Sequence, residues 1–410
     1  MTSKNNKRKT ILMVAFHYPP CQSAGTHRTE KFAQYLTDFG WDVVVLTVQK
    51  NMFSQQTDKG YQEKAVHVER TGVFDAVKKL SIKGKYLGIT CVPDRWWSWA
   101  FTAIPAGKKL IDDFKPDVIW STYPISTSHY IAYKLHKQSG IPWIADYRDP
   151  LQCRYDPDAT KYSGVSKYIE KLTIENCKKA VFTTGNARSL YQALYPEQAA
   201  EKFEVIENGY DEEKFSSLEQ VKTNVSSVFT LLHSGDIYGL SRNPRNVMCA
   251  LALLKDENII NRENFKIVFR GVSDSTALVE MANELNISEL VDVLPVISYR
   301  DSLIEMLNAN ALLLLQGELF NNQVPSKLYD YIRARKPVVA NTPSNSATAN
   351  IIDTLDNAFS GNDIETLKAA IVNVIDVNAA KDHNSKLDMT RFSRHTKTIE
   401  LASLLNMVVS

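Results

Sequence analysis

The chain has 410 residues, 44% of them hydrophobic and 23% charged, with a net charge of +2. That length points to two domains, and the near-neutral balance excludes a general polyanion-binding surface of the nucleic-acid type. The five cysteines (Cys21, Cys91, Cys153, Cys177, Cys249) are scattered and lack CxxC spacing, which argues against a zinc site and for a reducing compartment.

The basic start, 4–9, is followed by only a short apolar run at 10–16 that ends at Tyr18-Pro19-Pro20. This reads as a first buried strand rather than a signal peptide, and no stretch approaches the ~20 apolar residues of a membrane span. The expectation is a cytoplasmic protein, at most resting on a membrane. From there the chain alternates short apolar runs with amphipathic stretches, the pattern of parallel sheets with crossover helices. Strands are expected at 10–16, 42–48, 65–70, 117–122, 141–146, 179–183 and 203–206. Helices lie between, most clearly at 25–39, 98–114, 127–139 and 163–177. In the second half, strands are expected near 228–234, 265–270, 290–294, 310–316 and 337–341, with helices at 243–256, 274–286, 300–308, 326–335 and 363–375. Both patterns lapse near 208–224, where a linker is expected. The domains are thus 1–207 and 225–390, each a doubly wound α/β unit, with a last helix over 391–410.

One segment carries the clearest chemistry. Val324 to Asn341 (VPSKLYDYIRARKPVVAN) follows the apolar strand 310–316 and opens a helix at Pro325. Free N–H groups and the helix dipole favour an anion at such a start. Pro325 has no N–H, so Ser326 and Lys327 must supply donors. Lys327 adds a mobile charge, and Asp330, three residues on, shares its face and can accept from ribose hydroxyls. An ordinary α/β unit with a surface lysine is the structural alternative.

This segment resembles the nucleotide-sugar-binding element of GT-B glycosyltransferases, especially the retaining, glycogen-synthase-like group called family 4. Further stretches resemble the same family in order: 11–48 its opening strand, glycine loop and helix; 116–150 its acceptor-domain core; 205–215 (VIENGYDEEKF) the entry to the second domain; 231–254 that domain's first unit. The resemblance implies a GT-B fold, two Rossmann-like domains facing each other across a cleft, with the terminal helix crossing back to the first domain. It implies a nucleoside-diphosphate-sugar donor, a glycan or lipid-linked acceptor, no metal and no other cofactor.

Residue by residue, the resemblance places the diphosphate at Gly235, Arg242, Ser326 and Lys327, the ribose at Asp330, and the base near Val296 and Ile297, with Arg270 within reach of phosphate. Relatives commonly carry an arginine just after the first glycine; this chain has Asp236, a charge reversal. Relatives also carry two glutamates eight positions apart, where this chain has Asn322 and Asp330. Asn322 can bond a sugar hydroxyl but cannot stabilise positive charge at the anomeric carbon; Glu318 is a nearby substitute. In the first domain, Ser23 and Gly25 permit close approach of backbone to ligand, with His17, His27 and Arg28 beside them. Asp146 closes an apolar strand and reads as a catalytic carboxylate, Asp149 as a structural one. His129 could contact the sugar or acceptor, and Arg148 falls where relatives have a histidine. The aromatic run Trp96 to Phe101 suits sugar stacking, a membrane interface or a core. A non-catalytic nucleotide-sugar-binding partner of a glycan complex, or a nucleotide-sugar epimerase, is the alternative to a transferase.

Overall fold

The structure is a computed structural model and describes residues 8–53, 63–81, 85–151, 163–218, 227–237, 242–379 and 388–410. The chain forms two compact units. Unit 1 comprises Met1–Asn208 with Arg394–Ser410, and unit 2 comprises Gly209–Ser393. The linker expected over 208–224 lies in part outside the described residues. Its described portion includes a short helix of unit 2, Glu212–Ser216.

Unit 1 holds seven strands: β1 (Lys9–Val14), β2 (Trp41–Val48), β3 (His67–Thr71), β4 (Val118–Thr122), β5 (Trp143–Tyr147), β6 (Lys179–Phe182) and β7 (Phe203–Val205). They form one parallel sheet in the order β3-β2-β1-β4-β5-β6-β7. Its helices are α1 (Ala24–Tyr35), α2 (Ala76–Lys79), α3 (Trp99–Phe114), α4 (Ser126–Ser139), α5 (Ser163–Asn176) and α6 (Gly185–Leu194). Side chains alternate across the pleat, so Ile11 and Met13 enter one core while Leu12 and Val14 enter the other. Helices cover both faces, which is why these strands read as continuous apolar runs.

Unit 2 repeats the plan with α7 (Glu212–Ser216), β8 (Phe229–Ser234), α8 (Arg245–Asp256), β9 (Phe265–Arg270), α9 (Thr276–Glu284), β10 (Val291–Leu294), α10 (Tyr299–Asn308), β11 (Ala311–Leu315), α11 (Ser326–Ala334), β12 (Val338–Asn341), α12 (Ala347–Ile352), β13 (Ala358–Gly361) and α13 (Ile364–Ala379). The sheet order is β10-β9-β8-β11-β12-β13. Leu312 and Leu314 face one core, Leu313 and Leu315 the other. The last helix, α14 (Arg394–Val409), belongs to unit 1, where Leu401, Leu404 and Leu405 pack with Phe32, Leu36 and Trp120.

In each unit the strand order reverses once, between β1 and β4 and between β8 and β11. Crossovers leave the sheet in opposite directions there, opening a crevice beyond the carboxyl ends of the strands. The loops 15–23 and 123–125 flank it in unit 1; the described loop residues 235–237 and 242–244, and the loop 316–325, flank it in unit 2.

Candidate functional site

In unit 2, the loop after β8 begins at Gly235, whose φ is +115°. A Cβ there would lie 2.8 Å from Lys327 Nζ, so the glycine makes room for the ammonium. Lys327 sits in the first turn of α11 and donates to Ser234 O at 2.7 Å. Burial, then the charge of Arg242, pulls its pKa down to about 7, with Asp236 acting in the other direction. Arg242 lies with its guanidinium 5.6 Å from the Phe320 ring centre. The N-cap of α11 is Pro325, and Leu328 N–H donates back to Pro325 O at 3.0 Å. The N–H groups of Ser326 and Lys327 therefore point out of the helix start without an intrahelical acceptor. Two cations and a helix N-terminus converge, an arrangement whose charge suits an anion.

The surrounding loops are held by groups of their own. Asp236 accepts from Ser273 N–H at 2.8 Å, from the Ser273 hydroxyl and from Ile237 N–H at 2.9 Å, and these bonds hold its pKa below the usual carboxylate range. The charge reversal noted in the sequence thus ties the β8 loop to the β9 loop. Arg270 closes a two-pronged ion pair with Glu305 on α10, with bonds of 2.6–3.1 Å, and donates to Pro295 O at 2.9 Å. As placed, it braces the loop 295–298, on which Ile297 is half-buried and Val296 exposed. Asp330 accepts from Tyr299 OH at 3.1 Å. Asn322 lies on a loop shaped by Gln316, whose Nε2 donates to Phe320 O and Gln323 O, both at 2.8 Å.

In unit 1, Arg28 of α1 and Asp146 of β5 form a buried ion pair, with Nη2 to Oδ1 at 2.8 Å and Nε to both oxygens at 3.2 Å. Arg28 also donates to Ile206 O and Glu207 O, each at 2.8 Å, and Asp146 accepts from the Thr122 hydroxyl at 2.9 Å. The pair stitches α1, β4, β5 and the segment after β7 together. His129 is buried on α4: its Nδ1 meets the Ser121 hydroxyl at 2.7 Å, and its ring lies 4.8 Å from that of Tyr147. Burial pushes its pKa down to about 3, so the ring is neutral at any working pH. Gly25 stands in the first turn of α1, and a Cβ there would come 2.6 Å from Arg148 Nη1 and 3.0 Å from His17 Nδ1. Ser23 is the N-cap and makes no capping bond with its side chain. Trp99 is fully buried and donates to the Thr71 hydroxyl, Trp96 packs on Phe16, and Phe101 is exposed.

The structure brings Gly235, Arg242, Ser326 and Lys327 to one place, and joins Arg28 to Asp146. The Asp236–Ser273, Arg270–Glu305 and Tyr299–Asp330 contacts span 31–37 residues of sequence and follow no motif.

Two parallel sheets with these strand-order reversals, each in its own unit, define the GT-B fold class. More narrowly, residues 26–214 match the model described as Glycosyltransferase Family 4. No curated protein matches the chain by sequence. Among solved structures it is similar to the lipopolysaccharide outer core galactosyltransferase WaaB in apo form, at 13% identity over 97% of this chain and 99% of that one, TM-score 0.61. It is similar to sucrose-phosphate synthase from Thermosynechococcus elongatus, at 14% identity over 98% and 99%, TM-score 0.60. It is also similar to the UDP-GlcNAc 2-epimerase from Neisseria meningitidis bound to UDP-GlcNAc, at 11% identity over 97% and 100%, TM-score 0.56.

Proposed function

We propose that the protein is a retaining glycosyltransferase that moves a sugar from a nucleoside-diphosphate donor to an acceptor hydroxyl. The observation that carries this reading is the convergence of Lys327 Nζ, Arg242 and the open N-terminus of α11 beside Gly235. Such a cradle meets charge as it develops on the departing diphosphate, without reorganising during the reaction. The leaving diphosphate oxygen then takes the acceptor proton, and the protein supplies orientation rather than a strong base or a metal. His129, buried and neutral, fits the absence of a general base in this scheme. Asp330 takes the ribose, the loop at Ile297 takes the base, and Asn322 bonds a sugar hydroxyl.

The context we propose is surface polysaccharide or lipid-linked glycan assembly, with the protein resting on a membrane surface. No helix among the described residues is long and apolar enough to cross a membrane. Exposed Tyr86, Leu87, Ile89 and Phe101, with Lys78, Lys79 and Lys85 nearby in sequence, support a peripheral contact. An epimerase on the same fold needs no acceptor, and a non-catalytic partner binds donor without turnover.

The test is a thermal-shift panel of nucleoside diphosphates and nucleotide sugars on the wild-type chain, Lys327→Ala and Arg242→Ala. One base should raise the melting temperature, and both variants should lose the effect. Transfer to an acceptor, with the anomeric configuration read by NMR, then separates transferase from epimerase and from a silent binder. Folded protein that responds to no nucleotide would overturn the reading.

A further inference from the structure

Asp330 stands half-buried on α11, where a carboxylate can turn about its own side-chain bonds unless something holds it. The structure supplies a holder. Tyr299, the first residue of α10, donates its hydroxyl to Asp330 Oδ2 at 3.1 Å, from 31 residues away in sequence. An ionised acceptor makes this a stronger bond than one between neutral groups. A carboxylate has about four lone-pair sites, so one phenol fixes its plane and leaves capacity for the hydroxyls of a sugar.

Tyr299 is itself held by three elements of unit 2. Lys214 of α7 places its Nζ 4.5 Å from the Tyr299 ring centre, a cation–π contact, and lies 4.0 Å from Asp211. The start of α10 is closed by Ser298, whose hydroxyl accepts from Asp301 N–H at 3.1 Å and donates to the Asp301 carboxylate at 2.6 Å. The loop before it is braced by Arg270 on Pro295 O. Folding does not account for this hold. Tyr299 is 46% exposed, so losing its hydroxyl strands no buried partner, and surface changes of that kind move stability little. Three supports on an exposed tyrosine serve the placement of the group it bonds.

We propose that Tyr299 is a positioning residue that aims Asp330 at a ribose hydroxyl, and that the pair makes the site select ribonucleotides over deoxyribonucleotides. An aimed carboxylate that meets a C–H in place of an O–H loses its hydrogen bond and gains nothing in exchange, which is how a polar site rejects an analogue lacking a hydroxyl. Tyr299 acts through Asp330 and need not touch the nucleotide. The inference rests on the nucleotide-site reading above, though not on sugar transfer.

The test titrates the full chain by calorimetry with UDP, GDP and ADP and with their 2′-deoxy and 3′-deoxy forms. The wild-type chain should bind its preferred ribonucleotide about tenfold tighter than at least one deoxy form. Tyr299→Phe keeps the ring and should lower ribonucleotide affinity by roughly three- to tenfold while leaving that deoxy form within about twofold, so the selectivity shrinks. Asp330→Ala should abolish the selectivity, and adding Tyr299→Phe to it should change nothing further, as a double-mutant cycle requires of a residue acting through its partner. Selectivity unchanged in Tyr299→Phe overturns the proposal. Ribo and deoxy forms weakened equally overturn it too, assigning Tyr299 to the base where the ligand-free melting temperature is kept, and to the fold where it drops. A wild-type chain that binds nucleotides without sensing either hydroxyl removes Asp330 from the ribose and overturns the proposal while the nucleotide site stands. A chain that binds no nucleotide sinks the site reading and this inference with it.

Discussion

Lys327 is the residue whose chemistry is most exposed to measurement. Its folded pKa of about 7 lies below the ~10.4 of an unfolded lysine. Between these values the unfolded chain binds the extra proton, so ligand-free stability rises with pH from about 7 towards 10; below about 7 the penalty is constant. A bound diphosphate restores the charged form, so binding above pH 7 takes up a proton. Nucleotide affinity should fall as pH rises past 7, by up to roughly tenfold per unit. Calorimetry in two buffers of different ionisation heat should show that proton uptake, and Lys327→Met should abolish it. A pH-independent affinity from 6.5 to 8.5 would remove Lys327 from the contact. Asp146 offers the opposite case. Its oxygens are fully used by Arg28 and Thr122, so Asp146→Ala leaves a buried arginine unpaired. That should cost about 3–5 kcal/mol in denaturant unfolding. An Asp146→Ala chain of wild-type stability but no activity would instead make the carboxylate catalytic. The ion pair joins positions 118 residues apart, and Lys327 reaches Ser234 across 93. Sequence marks such residues as strand ends or helix starts but cannot say which of them meet.

At the scale of elements, legibility followed burial. Strands covered on both faces, such as 310–316, stood out as unbroken apolar runs, and their bounds in the structure lie close to those read from sequence. β13 (Ala358–Gly361) did not, because an edge strand of four residues, with Phe359 and Ser360 only half-buried, leaves no run. α12 (Ala347–Ile352) is likewise too short for a periodic signal. The end of α11 was marked by Lys336-Pro337, since proline cannot continue a helix. What the sequence hid is that Arg335 closes it with φ of +54°, a left-handed cap that usually falls to glycine. An L side chain there costs roughly 1 kcal/mol. Arg335→Gly should therefore raise stability by about that amount in urea unfolding, with unchanged nucleotide affinity. A loss of stability would mean that the arginine side chain, rather than the backbone, holds this helix end.

At the scale of the molecule, the chain order and the unit order differ. The first 208 residues fold with the last 17, so unit 1 is completed by residues that follow all of unit 2. The dependence is visible in the core: Leu401 and Leu405 are fully buried among Ile11, Val43 and Trp120, under the face of the sheet that α1 shares. Burying such a leucine is worth about 1.5–3 kcal/mol each, so α14 supplies a large part of the stability of that face. Ending the chain after Ser393 should expose β1, β2 and β4 on one side while leaving unit 2 whole. Hydrogen exchange on the truncated chain should show lost protection in those strands and retained protection in β8, β11 and β12. The transition should also split into two, since unit 2 keeps its own cores. If the nucleotide site lies wholly within unit 2, the truncated chain should still bind a nucleoside diphosphate through Lys327 and Arg242, with transfer lost. Loss of protection spread evenly over both units would show instead that the two fold as one cooperative body.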